Sequence, residues 1–285
     1  MRTLDRAGDV LSCACGRRYP IVDGIPVVMA EGAPDLAGVA ERELSLDAAA
    51  LLLERAPDDD PYARIVDQLG VYLDTSWGDG ARELVQRITE RGSVRVSLAV
   101  ELGCSVGRVL DALAGGADQV VGVDRDLAAL RRARRLLSGE SVTYLRRIVG
   151  RHFAQARVTG VARDNVTLVC GDALDPPLVN GFYDRVVALN MLDSVASPRQ
   201  LLAVIDGLCA PGGEVILTSP YAWRSEIVPE RERFGGADPA GALIAQLREG
   251  YEIEDEADLT WELRRDARCT LTYKTHYLRA RKRGT

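Results

Sequence analysis

From Val94 onward, apolar and polar positions alternate between two rhythms. Short continuous apolar runs (VRVSLAVEL, QVVGVD, NVTLVCGDA, YDRVVALNML, EVILTSPY) have the length and β-branched content of buried strands. Between them lie stretches with apolar residues at helical spacing: GRVLDALAGG, DLAALRRARRLLSG and SPRQLLAVIDGLCAPGG. Strands alternating with helices predict a parallel, doubly wound sheet. Two strictly alternating segments close the chain, DLTWELRRD and CTLTYKTHYLRAR, and they read as an antiparallel hairpin at the sheet edge. Upstream, residues 38–56 and 60–73 show helical periodicity, SWGDG interrupts it, and ARELVQRITERG is a further amphipathic helix stopped by glycine. The first thirty residues carry β-like pieces, YPIV and IPVVM, around an Asp-Gly turn. Three regions follow: a small β module over 1–32, a helical region over 33–92, and the alternating domain over 93–285. A long basic insertion spans 139–163, between the second helix and third strand of that domain.

Composition narrows the class. A chain of 285 residues with 27% charged and 47% hydrophobic residues has the material for a sizeable core. No apolar run reaches the roughly 20 residues that cross a bilayer, so no membrane partner is expected. MRTLDRAGDV has no signal-peptide core, and the expected location is the cytoplasm. A net charge of −6 argues against a broad nucleic-acid surface, and no DNA partner is expected. The basic runs RRARR, RRIVGR and RARKR read first as solvated faces. Six scattered cysteines do not make a disulfide framework, and no metal site is expected.

In a doubly wound sheet the ligand lies beyond the carboxyl ends of the strands. There the first strand ends in ELGCSVGR, with Glu101, Gly103 and Gly107, and with Ser105 where a dinucleotide fingerprint would carry another glycine. Asp124 closes the second strand, 21 residues after Gly103, where an acid can hydrogen-bond a ribose diol; Arg125 is beside it. Asp172 and Ala173 end the third strand, placed to meet an adenine edge. Each acid has the alternative of capping the following helix.

These loops resemble those of class I S-adenosylmethionine-dependent methyltransferases over residues 94–285. ELGCSVG matches the family's acidic, glycine-rich loop, and LCAPGGEVILTS its Pro-Gly-Gly turn; the terminal hairpin is a family trait. The resemblance implies a Rossmann-like α/β fold with a seven-stranded, mostly parallel sheet. It implies S-adenosylmethionine as cofactor, with Glu101, Gly103, Ser105 and Gly107 near the methionine moiety, Asp124 and Arg125 at the ribose, and Asp172 and Ala173 at the adenine. Asn190, ending the fourth strand, would pass close to both cofactor and acceptor. The strand-four end, LNMLDSV, lacks the Pro-Pro motif of adenine and glutamine methylation. GCSVGR, LNMLDSVASPRQLL and PGGEVILTSPYAW are similar to the methyltransferase domain of ovothiol biosynthesis, which implies an imidazole nitrogen as acceptor.

Asn190, Asp193 and Tyr221 are then the candidate catalytic side chains, with Arg264 or Arg265 available to a substrate carboxylate. Tyr221 and Trp223 have the alternative of a hydrophobic lid, and Asp193 that of a helix cap. His276, on an edge strand, reads as a surface or structural residue. CACGRRYPIVDGIPVVM resembles the second half of the zinc-ribbon activators of tRNA and protein methyltransferases. Its first cysteine pair is missing, so Cys13 and Cys15 read as remnants in a module that packs on the domain or mediates a homodimer. The expected function is methylation of a small molecule. The alternatives are an RNA or protein methyltransferase docked through the basic insertion, and a catalytically silent binding partner.

Overall fold

The computed structural model describes residues 4–30, 45–57, 59–77, 82–90 and 94–284. The seven-stranded sheet contains β5 (Val96–Leu102), β6 (Ala117–Asp124), β9 (Val166–Cys170), β10 (Tyr183–Leu189), β11 (Cys209–Ser219), β12 (Tyr251–Arg264) and β13 (Thr270–Lys282). Their order across the sheet is β12-β13-β11-β10-β5-β6-β9. The first five in sequence, β5, β6, β9, β10 and β11, are mutually parallel; β13 runs antiparallel to β11, and β12 to β13. This Rossmann-like arrangement is the one the sequence pattern predicts, and it turns all five parallel strand ends toward one edge. It also corrects the placement of His276. Strand β13 lies between β11 and β12 and is not an edge strand.

Helices α4 (Arg108–Gly115), α5 (Leu127–Leu137) and α6 (Pro198–Leu208) are the expected crossovers. Buried Leu110, Leu113, Leu130 and Ala133 pack one face of the sheet, and Leu201, Leu202, Ile205 and Leu208 the other. Helix α7 (Pro239–Leu247), capped by Asp238, has no counterpart in the sequence expectations. ADPAGALIAQL is apolar nearly all round its circumference, so it lacks the one-sided stripe that signals a surface helix.

Before the sheet come α1 (Leu46–Arg55), α2 (Pro61–Trp77) and α3 (Arg82–Glu90). Helix α2 runs four residues further than the periodicity suggests. The predicted helical residues 38–44 and the SWGDG break from residue 78 lie outside the described residues.

The 139–163 insertion is a two-stranded antiparallel hairpin, β7 (Ser141–Val149) and β8 (His152–Thr159). Three of its basic residues face the protein's own acids and carbonyls. Arg147 pairs with Asp67 at 2.9 Å, Arg146 with Asp74 at 3.6 Å, and Arg151 donates to the carbonyls of Glu54 and Ala56. Asp74 also accepts from Tyr144 Oη at 2.9 Å and pairs with Arg264 at 3.6 Å. One carboxylate thus ties α2 to the insertion and to the long terminal hairpin. Arg264, expected to face a substrate carboxylate, is held by Asp74 instead.

The N-terminal module is a meander of β1 (Leu4–Ala7), β2 (Val10–Cys13), β3 (Arg18–Val22) and β4 (Ile25–Pro26). Asp23 and Gly24 both have positive φ, as the tight Asp-Gly turn requires. The module is joined to the sheet. Val27 bridges Cys170 in parallel and Val28 N donates to Cys170 O at 2.8 Å, so the outer edge of β9 is covered there. Ile25 and Val27 belong to the main core.

Candidate active site

Strand β5 turns into α4 through Gly103, Cys104, Ser105, Val106 and Gly107. Gly103 N and Cys104 N both donate to Val123 O, at 2.8 and 3.1 Å, which binds the loop to β6. Gly103 has φ +76°, which favours glycine, and a Cβ there would lie 2.1 Å from Met191 Sδ, so the Met191 side chain would have to move. Gly107, at φ +84°, is the N-cap of α4 with no side-chain cap. Ser105 stands at φ +46°, a conformation glycine takes without penalty and other residues adopt at a cost of about 1 kcal/mol.

Asp124 does not cap the following helix. Asp126 does so, accepting from Ala128 N and Ala129 N. Asp124 Oδ2 accepts from Ser105 N at 2.8 Å and Oδ1 from Asp126 N at 2.8 Å, so this carboxylate organises the loop that carries Ser105. Burial pushes its pKa up to about 6, against the pull of those amides. Glu101, 3% exposed, is raised well above the usual carboxylate range by burial first and by Asp124 second. Its Oε2 and the Ser105 Oγ are buried with no hydrogen-bond partner. Two orphaned polar atoms beside a backbone cradle fit a polar nucleoside ligand. Asp172 and Ala173 lie two and three residues past β9, and Asp172 accepts from Leu174 N. Arg125 is exposed at the end of β6.

The second cluster lies where β10 and β11 end. Asn190 N donates to Thr218 O, and Asn190 Oδ1 accepts from Thr218 Oγ1 at 3.0 Å. Asp193 is 6% exposed and clasps the next loop by accepting from Ala222 N at 3.0 Å; its other oxygen is buried and unpartnered. Burial raises its pKa, and the helix cap here belongs to Ser197. Tyr221 bonds His276 Nδ1 at 2.8 Å, and its ring is 5.9 Å from that of Trp223, which meets Phe234 edge-on. Tyr72 of α2 packs instead against the cluster of Leu69, Leu73 and Val106, its hydroxyl accepts from Gln68 Nε2, and burial raises its pKa.

Four non-glycine residues have positive φ among the described residues, and three of them, Ser105, Asn190 and Tyr221, stand on loops at this strand edge. Such conformations persist where the surroundings over-determine them, and they gather at functional sites. A cavity of about 500 Å³ elsewhere, between α1, α2, α5 and β7, has none of these residues in its lining.

The sequence missed Met191 and the buried position of His276. Met191 looks like an ordinary apolar position, and the partners of His276 are 55 and 20 residues away along the chain.

The strand order and crossovers define a Rossmann-like methyltransferase fold. Residues 100–217 match the family model of that kind, described as a methyltransferase domain, and the cofactor of the domain is S-adenosylmethionine. The fold is shared with a chain from the complex of the Haloferax volcanii Trm112 methyltransferase activator (16% identity, 79% of this chain and 96% of that one, TM-score 0.53). It is shared also with a Bacillus halodurans C-125 protein described as a methyltransferase (14%, 70% and 98%, TM-score 0.50) and with the Bacillus subtilis YcgJ protein (11%, 72% and 100%, TM-score 0.50). None of the curated proteins matches the chain.

Proposed function

We propose that this chain methylates a small molecule at a ring nitrogen or a comparable neutral nucleophile, with the imidazole of a histidine derivative as first candidate. The observation that carries the reading is the cluster of Tyr221, Trp223 and Asp193 beyond the ends of β10 and β11, where Met191 meets the glycine loop. A flat heteroaromatic ring suits aromatic walls with a few polar groups.

Bound S-adenosylmethionine supplies an activated methyl group. The chain's residues hold, align and shield. Ionised Asp124 accepts from ribose hydroxyls, and Asp172 with Ala173 meets the adenine side. Glu101 and the turn of Gly103, Ser105 and Gly107 receive the methionine moiety. Asn190 and Asp193 orient the acceptor lone pair behind the methyl carbon. Alignment of that kind supplies much of the rate in a transfer between two bound partners.

A macromolecular acceptor is less well supported. Arg146, Arg147 and Arg151 of the insertion are already engaged with Asp74, Asp67 and backbone carbonyls, which leaves the insertion a strut for α2. The test is transfer of a labelled methyl group to a panel of histidine derivatives, phenols and thiols, beside RNA and protein fractions. Label in the small-molecule fraction is expected; label confined to macromolecules overturns the reading.

A further inference from the structure

Behind Tyr221 lies a chain of groups that neither substrate binding nor the sheet requires. Tyr221 is half-buried, His276 behind it is 6% exposed, and the Glu256 side chain beyond is 48% exposed. Tyr221 Oη is 2.8 Å from His276 Nδ1, and His276 Nε2 is 3.5 Å from Glu256 Oε1. His276 Nε2 has no hydrogen-bond partner although it is buried, which is costly for a group with a merely structural role. The three residues come from the loop after β11, from β13 and from β12, and they run from the strand-end site to solvent.

We propose that Tyr221, His276 and Glu256 form a proton exit from the acceptor site, so that the acceptor class is one whose N–H or O–H proton must leave on methylation. This rests on the methyltransferase reading above and names the substrate class for that same site. The acceptor lone pair forms the bond to the methyl carbon, and the carbon–sulfur bond breaks with its electron pair going to sulfur, which becomes a neutral thioether. The acceptor proton passes to Tyr221 Oη while the phenol's own proton passes to His276 Nδ1. The resulting imidazolium faces the Glu256 carboxylate. An aprotic acceptor, such as a tertiary amine, would have nothing to send along this path.

The starting state supports the direction of flow. Burial first, and then the carboxylates Asp238, Glu256, Asp193 and Asp258, raise the pKa of Tyr221, so the phenol is neutral and able to donate to Nδ1. Asp258 is the cross-strand neighbour of His276 and is itself paired with Lys274 at 2.6 Å. Tyr221 is the residue that meets the acceptor; His276 and Glu256 are positioning residues that act through it.

The chain has two histidines, His152 and His276. In a His152→Gln background His276 is the one remaining imidazole, and nitrogen-15 NMR reads its tautomer without any acceptor. The expected neutral form is protonated on Nε2, with Nδ1 accepting from Tyr221. Protonation on Nδ1 would overturn the proposal. In the transfer assay with the best acceptor of the panel, His276→Gln and the milder, half-exposed Glu256→Gln should lower kcat at least tenfold and threefold, with KM within about twofold. Unchanged kcat in His276→Gln sinks the proton path. The thermal shift produced by S-adenosylhomocysteine should be the same in all three proteins. If wild type shows none, the methyltransferase reading fails, while the tautomer still decides the arrangement of the pair.

Discussion

Asp124 organises the glycine loop, and the proposed ribose contact would couple that geometry to ligand affinity. Its carboxyl, at about 6 in the folded chain, lies above its ordinary value of 3.8. A raised carboxyl makes the folded state bind protons more tightly, so the ligand-free protein loses stability as pH rises through that window. Ribose hydroxyls favour the carboxylate, so ligand binding acts in the opposite sense. Affinity for S-adenosylhomocysteine, measured by calorimetry, should rise with pH up to about 6 and then level off. Asp124→Asn should flatten that dependence and weaken binding at least tenfold. Gly103→Ala tests the turn itself. A methyl group there must displace Met191 and also hold φ at +76°, so the thermal shift with S-adenosylhomocysteine should vanish. ELGCSVGR and Asp124 were legible as candidate cofactor residues because a nucleoside loop needs glycine and an acid at fixed spacing. That Asp124 holds Ser105 in a left-handed conformation was not legible, since one hydrogen bond across 19 residues leaves no local pattern.

At the scale of elements, α2 depends on close backbone approach. A Cβ at Gly70 would sit 2.4 Å from Leu145 O of β7. Gly70→Ala should therefore push α2 off the insertion hairpin. Overpacking of this kind costs about 1–3 kcal/mol, which denaturant unfolding would show. Amphipathic spacing disclosed that residues 61–73 are helical. It did not disclose that this helix meets a hairpin. The basic insertion misled in the opposite way. Arginine runs look like solvated or nucleic-acid-binding faces until their partners, Asp67 and Asp74, are seen on another element.

In the whole molecule, the N-terminal module shares the core of the seven-stranded sheet domain. Ile25 is 1% exposed and belongs to the main core cluster. Ile25→Ala should cost about 2–4 kcal/mol, as buried large-to-small changes do. The fall should be read in a single unfolding transition that also lowers the stability of the methyltransferase domain. Two separate transitions, with the second unmoved, would show the module to be independent. The YPIVDGIP segment was recognisable as a β module with an Asp-Gly turn. Its seat on the edge of β9, two residues before Asp172, depends on pairing between Val27 and Cys170, far apart in the chain.

The sequence by itself determined the sheet, its crossovers, the glycine loop and the acids at the strand ends, because each is written in periods of two to four residues or in the needs of one turn. The tertiary structure alone decided that His276 is buried behind Tyr221, that Glu256 stands beyond it, and that the basic insertion braces α2. These depend on β13 lying inside the sheet and on side chains meeting across 20 to 80 residues, where local pattern has no reach.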